Sequence, residues 1–446
     1  MKGEKEMSRK MSGKGLVATI PLAALIVLVV LGLLATSTTA LAKGRKLKIL
    51  CTTALSGPLG AFGTGYDKAM RLAVEEINAA GMKGWSGIDY KAVDTETKPS
   101  VMQQKLLREA KAWKPDVVTA AVLETTIRVW CARLPQLKIP GFVGGHAGMS
   151  KYMPPGEVPL TKWVAYYGFP EYFSGWIAGK AFHELGAKRV AFIGGDYDWG
   201  YGNSIGLKAY WQENGRPFEI IMIGYTPLDK ADLTTEVLLI KDAKVDGIFV
   251  PYTGAGWWAL PKMLRDAGAM PKYFIWEASY GTLGQAKISG EYGAEGTYSI
   301  ADHNPESDAW KGWVKKWRNK FGEKSYPEMY THNYYQGIYW IKKVFEKLGP
   351  ENRDPDKVVE MMQKTSFQNV CISPMGPLGP YGGNLGAKAS LVQFVKGAAK
   401  DLDPSFGLHP ELKAIYDLGK WDMKSLLEKM KALKRLEKGE KYPAAH

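Results

Sequence analysis

An α/β fold of two Rossmann-like lobes, each built on a parallel sheet and with a ligand cleft between them, is predicted by three features of the sequence. A strand, a glycine-rich loop and an amphipathic helix follow one another from Lys46 to Gly81. The same order of strand, loop and helix recurs down the chain, as in sheets that carry ligand loops at one edge. A stretch rich in proline and aromatic residues, 151–170, breaks the recurrence once, as a crossing between lobes would.

Taking the elements in order, Leu47, Ile49 and Leu50 lead into small Cys51, Thr52 and Thr53, a run of strand length. Met70, Leu72, Ala73, Val74 and Ile77 recur at helical spacing, and Gly81 supplies the stop. Between them the loop Ser56 to Gly65 holds four glycines, where backbone can approach a ligand just before a helix amino end. Strands are expected at Ile88–Val93, Asp116–Val122 and Ile139–Val143, with a helix at Val101–Trp113 and another behind the loop Leu123–Thr126, ending at Leu134. After the crossing come a helix from Ser174 to Leu185, a strand at Arg189–Ile193, a loop over Gly194–Gly202 and a helix to Asn214. Strands at Glu219–Gly224, Gly247–Val250 and Tyr273–Trp276 alternate with helices at Thr234–Lys241 and Trp257–Ala267. A strand near Thr297–Ala301 leads back. Two helical patterns over 308–348, a third at Asp354–Lys364, an irregular Pro- and Gly-rich stretch at Ser366–Gly386 and a strand at Leu391–Val395 follow. Met423, Leu426, Leu427, Met430 and Leu433 mark one apolar face of a tail helix over Asp422–Lys438.

Composition narrows the class. The 446 residues are 46% hydrophobic and 23% charged, which fits a globular chain long enough for two domains. The formal charge of +14 concentrates on helices and in the tail without a basic-aromatic motif, so no nucleic-acid partner is expected. Residues 1–42 combine a basic start, an apolar run from Leu16 to Leu34 and the end Ala40-Leu41-Ala42, the pattern of a signal peptide cleaved after Ala42. The run also has nearly the length of an anchor. No lipobox cysteine follows it, so a soluble periplasmic chain starting at Lys43 is expected. Cys51, Cys131 and Cys371 lie far apart in apolar segments and read as buried packing residues. The histidines show no i,i+4 or short-spaced pair, so neither a metal nor any other cofactor is expected.

Leu55-Ser56-Gly57-Pro58, Phe62-Gly63 and Ala73-Val74-Glu75-Glu76-Ile77-Asn78-Ala79-Ala80-Gly81 resemble the first strand, loop and helix of the leucine/isoleucine/valine-binding protein family, periplasmic solute receptors of ABC importers. Asp196-Tyr197-Asp198-Trp199-Gly200-Tyr201-Gly202, Asp246, Leu264 to Gly268 and Tyr292 to Gly296 extend the resemblance over nearly the whole mature chain. It implies a type I periplasmic-binding-protein fold, with 43–165 and 302–387 in one lobe, 166–301 and 388–446 in the other, and three crossings. It also implies a monomer that is not an enzyme and that closes on a small-molecule solute for delivery to ABC permease membrane subunits.

The resemblance carries site residues over as well. Phe62 stands at the aromatic position that shapes the solute, and Glu277 where amino-acid binders place the carboxylate that pairs with the solute ammonium. Glu124 or Thr125 falls where the family has a hydroxyl donor for the solute carboxylate. Ala147 falls at the second such position, behind Gly145 and His146. A carboxylate at Glu124 would repel a carboxylate, and one residue of register shift would place Thr125 and Thr126 there instead. Trp199 and Tyr252, with Tyr201, Trp257, Trp258 and Trp276, put aromatic area on the expected cleft loops. The expected solute is a branched-chain amino acid, an amide or an aromatic compound. Two rival readings are a ligand-sensing receptor on the same fold and a secreted hydrolase using Ser204 of Gly202-Asn203-Ser204-Ile205-Gly206.

Overall fold

A computed structural model of the chain describes residues 44–121, 124–145, 148–154, 156–252, 256–277, 292–323, 325–327, 330–396 and 408–445. The expected signal peptide and its apolar run lie outside the described residues. Among those described, no helix is long and apolar enough to cross a membrane.

The first lobe is a five-stranded sheet in the order β2-β1-β3-β4-β5. Its strands are β1 (Leu47–Thr53), β2 (Ile88–Asp94), β3 (Val117–Thr119), β4 (Gly141–Val143) and β5 (Val164–Tyr166), all paired in parallel. Helices α1 (Gly60–Ala80), α2 (Pro99–Ala112) and α3 (Glu124–Leu137) connect them. The expected strand at Asp116–Val122 shortens to β3. The three-residue β5 lies inside the segment read as a crossing, and its pairing with β4 creates it.

The second lobe is a seven-stranded sheet in the order β12-β11-β10-β9-β8-β6-β7. Its strands β6 (Arg189–Gly195), β7 (Glu219–Thr226), β8 (Gly247–Val250), β9 (Tyr273–Glu277) and β10 (Tyr298–Ala301) run parallel. The sheet is not parallel throughout, as the sequence suggested. β11 (Lys388–Lys396) and β12 (Leu408–Asp417) add an antiparallel edge. Helices α4 (Glu171–Leu185), α5 (Asp198–Glu213), α6 (Thr234–Ala243) and α7 (Leu260–Asp266) cover this sheet.

The chain leaves the first lobe after β5, returns after β10 and crosses again before β11. Between the last two crossings, α8 (Asp308–Phe321), α9 (Thr331–Leu348) and α10 (Pro355–Lys364) pack on the first lobe. Trp85 Nε1 donates to Phe345 O at 3.1 Å, and Glu76 accepts from Tyr335, Tyr339 and Lys316. The carboxylate joins α1 to both α8 and α9. The Ser307 hydroxyl caps α8 and the Asp354 carboxylate caps α10, each satisfying a first-turn N–H. The tail helix α11 (Met423–Leu433) buries Met423, Leu426, Leu427 and Met430 against Tyr172, Ile205 and Ala209 of α4 and α5. Beyond it, Ile220 N of β7 donates to Tyr442 O at 2.9 Å, so the tail docks on its own chain.

Two loops expected from glycine content are in part helix. Gly60, Gly63 and Gly65 lie within α1, and Gly200 and Gly202 within α5. A Cβ on Gly63 would sit 1.9 Å from Ala54 O, and one on Gly200 would sit 2.0 Å from Gly195 O. These glycines let each helix start flush against the end of the preceding strand. All three cysteines are free and buried.

Candidate functional site

The loop after β1 is organised by Asp94, the last residue of β2. Its carboxylate accepts from Leu55 N at 2.8 Å, Ser56 N at 3.2 Å, Ser56 Oγ at 2.6 Å and Glu96 N at 2.8 Å. Partial burial works against ionisation, but the Ser56 hydroxyl and the three backbone donors outweigh it and hold the carboxyl below its usual range. Ser56 is thereby committed to the fold. An open pocket of about 520 Å³ beside this loop is lined by residues of the first lobe, among them Lys68, Trp317 and Tyr326.

The two lobes meet where helices begin. α3 starts just beyond β3 and α5 just beyond β6, so each helix amino end lies near the carboxyl end of a strand. Arg128 of α3 grips the first residue of α5, Asp198, with Nε to Oδ2 at 3.1 Å and an NH2 to Oδ1 at 2.8 Å. The fork-like pair joins the first turns of α3 and α5, the helices that follow β3 and β6. Close by, Glu171 opens α4 and accepts from Met149 N at 2.7 Å, Ser150 N at 2.9 Å and Ser150 Oγ at 2.9 Å. The Ser150 hydroxyl also touches the carbonyl of Asp198. None of Arg128, Ser150 or Glu171 was expected from the sequence. Their partners are 21 to 70 residues away, and only the opening Pro170-Glu171 hinted at a helix start.

Burial pushes the Glu171 carboxyl up to about 7, against the pull of the Ser150 and Met149 amides and of Lys151. In the unfolded chain it titrates near the ordinary glutamate value, so at intermediate pH the native state holds the extra proton. Its contribution to stability is complete below the unfolded value and is lost as the pH rises through 7. Between about pH 5 and about pH 8, chemical denaturation should show the parent losing stability relative to Glu171→Gln, which stays neutral. Parallel stability profiles for the two proteins would contradict this account.

The structure separates the expected site residues into groups. Phe62 faces inward from α1 and is 4% exposed, while Trp199, the second residue of α5, is 6% exposed; both belong to one buried apolar cluster. Tyr252 belongs to it too, and its hydroxyl contacts Pro227 O at 3.1 Å and Lys230 O at 3.0 Å, which ties it into its own lobe. Trp276 meets Trp257 edge to face at 5.2 Å, within the same lobe. Tyr201 turns toward the tail, with Arg435 4.3 Å from its ring. Gly145 is buried against the ring of Tyr330, and its carbonyl accepts from Gly168 N at the first crossing. Glu124 is the first residue of α3, and nothing of its side chain is described. Thr125 follows it, its Oγ1 buried without a hydrogen-bond partner among the described residues. Glu277 ends β9, is 3% exposed and accepts from Ser174 Oγ of α4 at 2.7 Å. His146, Ala147 and the side chain of Trp258 lie outside the described residues.

Ser204 forms no nucleophile elbow. It lies inside α5, donates to Tyr201 O at 2.8 Å and accepts from Tyr225 OH at 2.7 Å and Leu436 N at 3.4 Å, so its hydroxyl anchors β7 and the tail to the helix. These partners include no histidine that could act as its base.

Two α/β lobes joined where α3 and α5 begin are the architecture of a two-lobed binding protein. A family model described as periplasmic binding protein matches residues 46–399, and the chain belongs to that family. The same two-lobe architecture is found in solved type I structures. The leucine-binding protein LivK of Thermotoga maritima is 17% identical, with 83% of this chain and 99% of that one covered at a TM-score of 0.68. LivJ of Streptococcus pneumoniae, in complex with isoleucine, is 17% identical over 84% and 99% at 0.66. An ABC-transporter solute-binding protein of R. palustris, in complex with benzoate, is 15% identical over 84% and 98% at 0.71. No curated protein matched the chain by sequence.

Proposed function

We propose that this chain is an extracytoplasmic receptor that binds a small organic solute between its lobes and delivers it to an ABC importer by hinge closure. It acts as a monomer, exported through a signal peptide cleaved after Ala42. Residues 43–165 and 302–387 form one lobe, 166–301 and 388–446 the other. Closure follows from differential affinity: a solute held by one lobe gains its contacts with the other only in the closed form.

What supports the reading is the chemistry of two polar groups, one on each lobe. The buried Glu277 carboxylate is an acceptor on the second lobe. The Thr125 hydroxyl and the first N–H groups of α3 are donors on the first. A solute with a carboxylate or amide oxygen at one end and a cationic or neutral donor at the other would complement both, and a branched or flat apolar body suits Phe62 and Trp199, which share one buried apolar cluster. The isoleucine of the Streptococcus pneumoniae protein and the benzoate of the R. palustris protein bracket this class.

The experiment begins with mass spectrometry of small molecules released from the denatured protein, followed by calorimetry with the one identified. If its head group is cationic, Glu277→Gln should weaken binding by about 2 kcal/mol, roughly thirtyfold, the size of a charge-assisted hydrogen bond. Cys131→Ala should leave affinity unchanged. A released simple dianion, or a Glu277→Gln variant that binds a cationic solute as tightly as the parent, would overturn the assignment.

A further inference from the structure

We propose that Asp302, His303 and His332 form a binding site for a divalent transition-metal ion of the zinc type, placed where the chain crosses back from the second lobe to the first. Asp302 and His303 directly follow β10, and His332 is the second residue of α9. Each offers one ligand atom, and the three atoms lie within 4.8 Å of one another. His332 Nε2 is 2.8 Å and His303 Nδ1 is 3.8 Å from the same oxygen, Asp302 Oδ1. The residues are 4%, 2% and 2% exposed.

Two imidazoles and a carboxylate are the donor set that zinc and its neighbours favour, whereas magnesium and calcium call for more oxygen ligands. The rings are held for the task. His303 stacks on Trp310 at 3.8 Å, and His332 stands edge-on to both His303 and Trp310 at 5.3 and 4.9 Å. The second carboxylate oxygen of Asp302 accepts from Asn333 Nδ2, which also donates to Gly144 O at 2.7 Å. This outer contact orients the carboxylate, as in established metal centres, and ties it to the loop after β4. The carboxylate also brings the negative charge that a cation beside the amino end of α9 requires.

Ion entry keeps the proton balance simple. The hydrogen that His332 Nε2 shares with Asp302 moves to Nδ1, which has no hydrogen-bond partner among the described residues. The Nε2 lone pair and the Asp302 oxygen then face the ion. Sequence spacing hid the site because His303 and His332 are 29 residues apart and meet only when α9 folds back under the crossing.

The test uses the full exported chain without added tag histidines. Zinc is titrated against a chromophoric chelator, both after folding and during refolding, and cobalt is titrated for its tetrahedral absorption. One equivalent should bind, raise the melting temperature and give the cobalt bands. His332→Gln should weaken zinc at least a hundredfold, as should His303→Phe, which keeps a ring on Trp310 but lacks the nitrogen. His183→Gln, remote from the site, should behave as the parent. Absence of stoichiometric zinc in both titrations overturns the proposal. So does a folded His332→Gln or His303→Phe protein that binds zinc as tightly as the parent.

Discussion

Replacing Gly206 by alanine should destabilise the protein by about 3 kcal/mol, the upper end of what overpacking usually costs. α4 and α5 cross at Gly175 and Gly206 with no room for a methyl group on either side. A Cβ on Gly206 would lie 1.8 Å from Tyr172 O and 2.9 Å from Trp176 N, and one on Gly175 would lie 1.9 Å from Asn203 O. The obstructing atoms are backbone, so no rotamer change relieves the clash and the helices must separate. Their separation would disturb Glu171 and Asp198, the opening residues of the two helices, and with them the contacts between lobes. Helix propensity acts the other way, favouring alanine over glycine by about 1 kcal/mol. Gly312→Ala is the control: Gly312 lies in α8 with nothing near the added Cβ, and there propensity should prevail. Urea unfolding of both variants decides the matter. A Gly206→Ala protein as stable as the parent would mean that the crossing is looser than its geometry.

Arg128→Met should produce the second large effect, a loss of about 3 kcal/mol in the closed form, or roughly a hundredfold in solute affinity. The Asp198 side chain is only 9% exposed, and Arg128 supplies both of its charge-assisted contacts. Removing the guanidinium leaves a carboxylate facing the other lobe, with the amino end of α5 as its remaining support among the described residues. The pair spans the lobes, so under the hinge closure proposed above the cost falls on the closed state and the population shifts toward open. Small-angle scattering should show a larger radius of gyration, and calorimetry the weaker binding. Arg128→Met combined with Asp198→Asn should recover much of the loss, because no buried charge is then left unpaired. Unchanged scattering and affinity in the single variant would show that the bridge contributes nothing to closure.

What the sequence determined by itself is local. Leu47–Thr53 and Gly247–Val250 are strands because their apolar runs are short and bounded. Thr331–Leu348 and Met423–Leu433 are helices because their apolar residues recur at helical spacing. Repetition of these units, with family-like wording in the first, was enough for the two-lobed class and for placing Glu277 at a strand end.

Tertiary structure decided what depends on distant partners. β12 carries Pro410 and charged residues that argue against a strand, yet it forms because the outer edge of β11 offers its backbone groups a partner and an edge tolerates proline. Glycines at 60–65 and 200–202 read as loop because glycine marks both turns and close approaches, and the neighbouring strand selects the second use. The Arg128–Asp198 bridge and the Asp302–His303–His332 cluster left no trace in local spacing. Periodicity records which face of an element is buried, whereas pairings across 70 or 30 residues are set only when whole lobes and helices pack.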